Sequence, residues 1–227
     1  MKRTHRLLLV TAAAATLAAP AAALAEDSGF YVGAFVGYAN VDVKQVEWNE
    51  AVLDAFSEFP GGTVASSSLD KNDTGFGATV GYRIIRNVAV ELSYIDLGNA
   101  TGRGAGTVSD GEVTVPIEIS GDFESRGPAA ALVGIVPFDS RWAIDGRVGV
   151  YYGDTKVSVT ATSGGVSARA SEKKSKAAFM GGVGVSYGFD EHWSARLDYL
   201  YFNKVGDKNT TGEADVSLAA AGIRYTF

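Results

Sequence analysis

Residues 193–202 read WSARLDYLYF. Trp193, Ala195, Leu197, Tyr199 and Tyr201 fall on one face of an extended chain, and Ser194, Arg196 and Asp198 on the other. Side chains of a strand alternate sides, so this period of two marks a strand with one bulky apolar face and one polar face. Residues 142–153, WAIDGRVGVYYG, repeat the design: Trp142, Ile144, Val148, Val150 and Tyr152 lie opposite Asp145, Arg147 and Gly149. In FYVGAFVGY at 30–38 the faces are Phe30, Val32, Ala34, Val36 and Tyr38 against Tyr31, Gly33, Phe35 and Gly37. The chain closes on AAAGIRYTF, where Ala219, Ala221, Ile223, Tyr225 and Phe227 share a face. A last strand that ends on its largest apolar side chain needs something to bury it.

Eight stretches alternate in this way: Phe30–Val43, Thr74–Ile85, Val88–Gly98, Glu112–Val136, Trp142–Thr160, Ser175–Phe189, Trp193–Gly206 and Ala214–Phe227. The fourth has apolar residues on both faces near Ala129–Val136 and is interrupted by Pro128, so its pattern does not fix which face is which. Short turns at Arg86-Asn87, Pro137–Arg141 and Asp190–His192 alternate with polar segments read as long loops at 44–73, 99–111, 161–174 and 207–213. Alternating short and long connections are what an up-and-down meander gives when its long loops emerge at one end. An even strand number places both termini at the short-turn end.

The bulk decides which face is outside. The apolar face carries the tryptophans, tyrosines, valines and leucines; the other is read as mostly Gly, Ala, Ser and Thr with single charges. An eight-stranded barrel is only wide enough inside for side chains to fill it. Small residues and paired ions fit there, and a set of tryptophans does not. The bulky face therefore points out, where only lipid tolerates it. The sequence predicts an all-β, eight-stranded antiparallel up-and-down transmembrane β-barrel. Its aromatic girdles are expected at Trp142, Trp193, Tyr187 and Phe189 near the short turns, and at Tyr38, Tyr94, Tyr152 and Tyr201 near the long loops.

The N-terminus fits export. Lys2, Arg3 and Arg6 precede an apolar run ending in Ala23-Leu24-Ala25, the pattern of a signal peptide covering 1–25 and leaving 26–227 as the barrel domain. Its removal takes three of the 20 Lys+Arg and none of the 26 Asp+Glu, moving the net charge from −6 to −9. Such a charge argues against nucleic acid as a partner. With no cysteine, neither disulfides nor cysteine-bound metals can hold the fold. After residue 25 the longest apolar run is AAALVGIV, too short for a spanning helix.

Gly222-x-x-Tyr225-x-Phe227 resembles the C-terminal signal that the outer-membrane assembly machinery reads in bacterial barrels, with Ala220 where a polar residue is usual. FYVGAFVGY, NVAVELSYIDLG, RWAIDGRVGVYYGD and GVGVSYGFDEHWSARLDYLYF resemble, in order, the eight-stranded membrane domain of the outer-membrane protein A family. The resemblance implies a Gram-negative outer-membrane location, surrounding lipid and lipopolysaccharide, and a monomer. Long members of that family add a peptidoglycan-binding domain after the barrel, and that function is expected to be absent from a chain ending at Phe227. The family is also associated with a proposed ion-pair gate inside the barrel. Glu91, Arg147 and Arg196 match its positions, whereas Ser186 and Val133 stand where a second acid and a lysine would be.

Projecting the alternation inward gives seven ionisable groups: Arg83, Glu91, Asp145, Arg147, Arg196, Asp198 and Arg224. Paired, they form a polar core; switched, they gate a pore. An enzyme is not expected. The two histidines are His5, in the signal segment, and His192, in a short turn away from the outer mouth. No catalytic residue, cofactor or metal site is expected. The glycines of GFGATVG (Gly75, Gly77, Gly81) sit within a strand and point inward rather than forming a phosphate loop. In the first long loop, Trp48, Val52, Phe56 and Phe59 have helical spacing and predict a short helix over the barrel mouth. Arg169, Lys173, Lys174 and Lys176 form a basic patch suited to lipopolysaccharide phosphates. The expected role is structural or surface-interacting, through displayed loops; the alternative is a low-conductance porin-like channel.

Overall fold

The computed structural model describes residues 29–43, 45–59 and 61–227; the expected signal peptide at 1–25 lies outside them. Among the described residues, nine strands and one helix follow in the order β1 (Gly29–Asp42), α1 (Gln45–Ser57), β2 (Thr63–Asp70), β3 (Asn72–Ile85), β4 (Val88–Ser109), β5 (Thr114–Pro137), β6 (Trp142–Ser163), β7 (Val166–Gly188), β8 (Trp193–Asp207) and β9 (Gly212–Thr226). Hydrogen-bonded neighbours run β4-β3-β1-β9-β8-β7-β6-β5, and β5 returns to β4. The ring is a closed antiparallel barrel of eight strands. Its last seam pairs Tyr31–Asp42 with Thr226–Asp215, and the Phe227 amide donates to the Phe30 carbonyl at 3.0 Å. The terminal strand is thus held along its length. Among the described residues no helix is long and apolar enough to cross a membrane.

The bulky face is outside. Val32, Val36, Val80, Leu92, Leu132, Val148, Val183, Leu197, Tyr199 and Ile223 are all exposed, and each alternates with a buried or half-buried neighbour. A belt of this kind is stable only against hydrocarbon. From Trp142 to Tyr152 the strand advances ten residues, near the roughly 9–11 that a tilted membrane strand needs. The face of the fourth barrel strand is now assigned: Ala129, Ala131, Val133 and Ile135 point inward, and Leu132 and Val136 outward.

Three expectations are corrected. The segments 99–111 and 161–174 are not loops: β4 and β5 continue to a hairpin at Ser109–Thr114, and β6 and β7 to one at Ser163–Val166. Their polar composition marks strands that have left the lipid, where both faces can be wet, and not an absence of strand. Within 44–73 there is a helix and also a strand, β2, which pairs Thr63–Asp70 with Thr107–Thr101. Of the four expected loops, the β8–β9 connection at 207–213 is the one that stays a turn, and the Asp207 side chain accepts hydrogen bonds from Asn209 and Thr210. Above the membrane the ring opens into a sheet β2-β4-β5-β6-β7, because β1, β3, β8 and β9 stop near the belt.

The helix is seated by glycines. A Cβ on Gly102, Gly104 or Gly106 would lie 2.5, 2.8 or 2.6 Å from Trp48, Val52 or Phe56. Four residues of helix rise about 6 Å and two residues of strand about 6.6 Å. Every second glycine of β4 therefore meets every fourth side chain of α1, and Val52 and Phe56 are 2% exposed. The expected helix is present, but it packs on the inner face of the extended wall, and Phe59 lies beyond its end and is exposed.

Candidate functional site

The barrel interior is layered. Nearest the short turns, Tyr31, Ala89, Val133 and Ile135 pack together. Above them β4 contributes Glu91, β6 contributes Asp145 and Arg147, and β8 contributes Arg196 and Asp198, all buried. Each guanidinium meets all three carboxylates. Arg147 lies 2.5 Å from Asp145, 2.9 Å from Asp198 and 3.6 Å from Glu91. Arg196 lies 3.0 Å from Glu91, 3.2 Å from Asp198 and 3.4 Å from Asp145. Tyr31 donates to Glu91 at 2.9 Å. Gly184 leaves the room: a Cβ there would meet the Asp198 and Asp145 carboxylates. The cluster ties three non-adjacent strands across the lumen.

Two of the seven projected ions stand apart from these pairs. Arg224 lies over the Tyr31 ring, 5.2 Å from its centroid, and donates from Nε to Ser194 at 3.2 Å. Arg83 is half-buried at the short-turn end, one register step from Tyr82 and Phe30, with no ion pair among the described residues. Ser186 is buried opposite Arg196, and Val133 sits opposite Arg147.

Above the ions the lumen is apolar and filled by large side chains, whereas mostly Gly, Ala, Ser and Thr with single charges were expected there. Ile95, Leu97, Tyr151, Met180, Leu200, Phe202, Val205, Val216 and Leu218 form one buried cluster. Tyr151 and Phe202 meet edge-on, with centroids 5.2 Å apart. The signal was in the sequence: Leu200 and Phe202 lie on the polar face of WSARLDYLYF, and Val216 and Leu218 continue it in β9. Beside the ions, against β1 and β9, the space bounded by Tyr31, Thr79, Arg147, Arg196, Asp198 and Arg224 measures about 10 Å³, near the minimum for one water.

The girdle residues all lie on the outer side. Trp142 packs on Tyr187 at 4.8 Å, and Tyr187 on Phe189 at 5.6 Å. Trp193 meets Tyr225 at 5.0 Å, and Tyr225 meets Phe227 at 5.1 Å, so two residues of the C-terminal motif sit among the aromatics. Phe30, Tyr82 and Phe138 join this end, beyond the girdle residues expected from the sequence. Gly222, the third residue of the motif, pairs with Phe35 and Arg196, and a Cβ there would crowd the Phe35 backbone and the Ala34 carbonyl. At the other end Tyr38, Tyr94 and Tyr152 are more than half exposed, and Tyr201 donates to Asp215 at 2.5 Å.

Just above that belt, Asp73, Asp96, Glu124, Arg126, Asp154, Lys156 and Lys173 line an outward groove of about 340 Å³. Lys173 lies 2.9 Å from Asp154, and Lys156 3.3 Å from Glu124. The expected four-residue basic patch is divided by strand alternation. Arg169 and Lys173 face outward with Ser158 and Asp154; Lys174 and Lys176 take the inner face, where Lys176 pairs with Glu213 at 2.5 Å.

Comparison with known proteins places this geometry. Outer membrane protein A of Serratia marcescens is 27% identical over 232 residues, covering 100% of this chain and 56% of that protein. The Shigella flexneri protein of the same name is 27% identical over 230 residues, with the same coverage. The chain thus spans about half the length of the curated relatives it matches. Among solved structures, Ail, the attachment invasion locus protein of Yersinia pestis, in complex with the heparin analogue sucrose octasulfate, is similar at TM-score 0.44 and 20% identity, covering 88% of this chain and 99% of that one. OprG of Pseudomonas aeruginosa is similar at TM-score 0.44 and 15% identity, covering 88% and 96%. The family described as the OmpA-like transmembrane domain matches residues 25–227, which include the whole ring, and the chain therefore belongs to that family of the cell outer membrane.

Proposed function

We propose that this protein is a sealed, monomeric membrane anchor that holds a rigid extramembrane sheet out for contact with the cell's surroundings, rather than a pore or an enzyme. The observation that carries the reading is the filled lumen. An ion layer in which each arginine meets three carboxylates lies under an apolar layer of nine large side chains, and the space beside the ions measures about 10 Å³. An ion crossing it would have to break buried pairs and then enter a dry core, each step costing several kcal/mol. The porin-like alternative needs both layers to open together.

Other features support the same role. Five strands and a helix continue past the belt, far more ordered structure than membrane insertion requires. The charged groove above Tyr94 and Tyr152 lies at headgroup height, where lipopolysaccharide phosphates and their counter-ions are the available partners. His192, the one histidine among the described residues, is stacked on Tyr225 at the opposite end. The motif of Gly222, Tyr225 and Phe227 suits capture by the assembly machinery while the strand edge is still free.

Single-channel recording of the folded chain in planar bilayers tests the reading. Silence is expected for the wild-type protein. Steady openings that change in Glu91→Ala would overturn it in favour of the channel.

A further inference from the structure

The upper half of β7 has a neighbour on one side only. β6 pairs with it from Gly188's end to Val166, whereas β8 pairs only from Phe179 onward. Val166–Ala178 therefore present a bare strand edge, and Val166–Lys174 are exposed on both faces as well. The edge starts at the belt, where Ala177 pairs with Tyr152, and its upper part is well clear of lipid: β6 runs 11 residues from Tyr152 to Ser163, a strand length of about 36 Å at about 3.3 Å per residue. Within the segment Arg169, Lys173, Lys174 and Lys176 outnumber Glu172, a segment charge of +3 on a chain whose net charge is −6. Alternation puts two of the cations on each face; Lys173 and Lys176 are paired with Asp154 and Glu213, so Arg169 on the outer face and Lys174 on the inner face remain as cations without an ion pair among the described residues.

We propose that this edge of β7 is a docking strand for an acidic, extended polypeptide segment, added to the sheet as one more β-strand. The proposal rests on the display reading and names the surface and the partner's chemistry. Backbone N–H and C=O groups along an unpaired edge supply sequence-independent affinity, and flanking charges supply selection. Lysines on an edge ordinarily deter strand addition, because another chain's strand brings no compensating charge. Here they exclude the β7 edge of a second copy, which is equally positive, and admit a negative strand. The sheet's other bare edge, β2, carries Asp70 as its single charge and has no such selection.

The test uses the full chain in lipid nanodiscs and a labelled ten-residue peptide alternating glutamate with valine and threonine, followed by fluorescence anisotropy. Binding should be salt-sensitive and should fall at least about tenfold when Arg169, Lys173 and Lys174 are all changed to glutamate. It should fall as far when alternate backbone nitrogens of the peptide are methylated, which leaves its charge intact. Ala170→Pro and Ser171→Pro decide the geometry: the proline whose nitrogen points off the sheet should abolish binding while the boiled-versus-unboiled gel shift persists. Equal binding of the methylated peptide would mean ionic adsorption without strand addition and would overturn the proposal, as would no binding at all. Either result leaves a non-conducting display barrel standing, whereas conductance would remove the display reading without touching the binding result.

Discussion

Between Val88 and Leu97, β4 sends Ala89, Glu91, Ile95 and Leu97 into the lumen and Val90, Leu92 and Tyr94 to lipid. Between Ala100 and Gly106 the same strand turns glycines inward against a helix and Thr101, Arg103 and Ala105 outward to water. The switch is a bulge. Gly98 has φ +71°, and Asp96 and Asp73 accept the amides of Gly98 and Asn99 at 2.9 and 2.8 Å. One extra residue there moves the inward set from odd to even positions, so a single strand can serve two solvents. Below the bulge the sheet must close, because lipid satisfies no backbone group; above it, water does, and two edges stay open.

The largest break in this comparison should come from the ion layer, which joins β4, β6 and β8 only in the closed half. Arg196→Ala leaves three buried carboxylates to one guanidinium and is expected to cost about 3–5 kcal/mol. The measurement is the urea midpoint for loss of the heat-modifiable band. A shift worth less than about 1 kcal/mol would mean that the ring is held by its seams and not by the cross-lumen pairs. Next comes the lipid face. Leu197→Arg, in mid-belt, should cost about 2–4 kcal/mol, whereas Thr160→Arg on the outer face of the extramembrane sheet should stay within about 0.5 kcal/mol. Equal costs at the two sites would erase the distinction between the halves.

Alternation made the closed half legible because bulk and charge were segregated by face, as at Trp193–Asp198. It failed where the segregation ends. Leu200 and Phe202 share a strand with Tyr199 and Tyr201, and with both faces apolar the pattern does not reveal that one set fills the lumen. The open half was illegible for a different reason. At 161–174 the solvent is water on both sides, so nothing in the sequence enforces a period of two, and strands read as loops. Residues 101–107, TGRGAGT, did hold a signal: glycine at every second place, which is the mould of something large lying against the strand.

That mould gives a smaller and more local prediction. Gly104→Val would place branched carbons where Val52 packs and should displace α1 at a cost of about 1–3 kcal/mol. Protease access at 45–59 should rise while the gel shift of the barrel is unchanged; loss of the folded band as well would show that the two halves are coupled. Gly98→Ala acts on the hinge between them. A left-handed φ costs a residue with a Cβ about 1–2 kcal/mol, and cross-linking yields between cysteine pairs placed above and below the bulge would report a shifted register.

The smallest effect is electrostatic and belongs to the open half alone. At the β4–β5 hairpin, Asp110 accepts the amides of Val113 at 2.9 Å and Glu112 at 3.0 Å, and these hold its carboxyl below the usual range. A depressed folded value means the bonds contribute fully above the unfolded value of about 3.9 and are lost as pH falls through the lower folded one. The Val113 amide shift, followed by NMR, should therefore stay flat from neutral pH to about 5 and move only below about 4. In Asp110→Asn the same amide should lose that titration, while amides of the closed half, such as Val148, remain unaltered. A midpoint at or above the ordinary aspartate value would show that this turn is not fastened by its carboxylate.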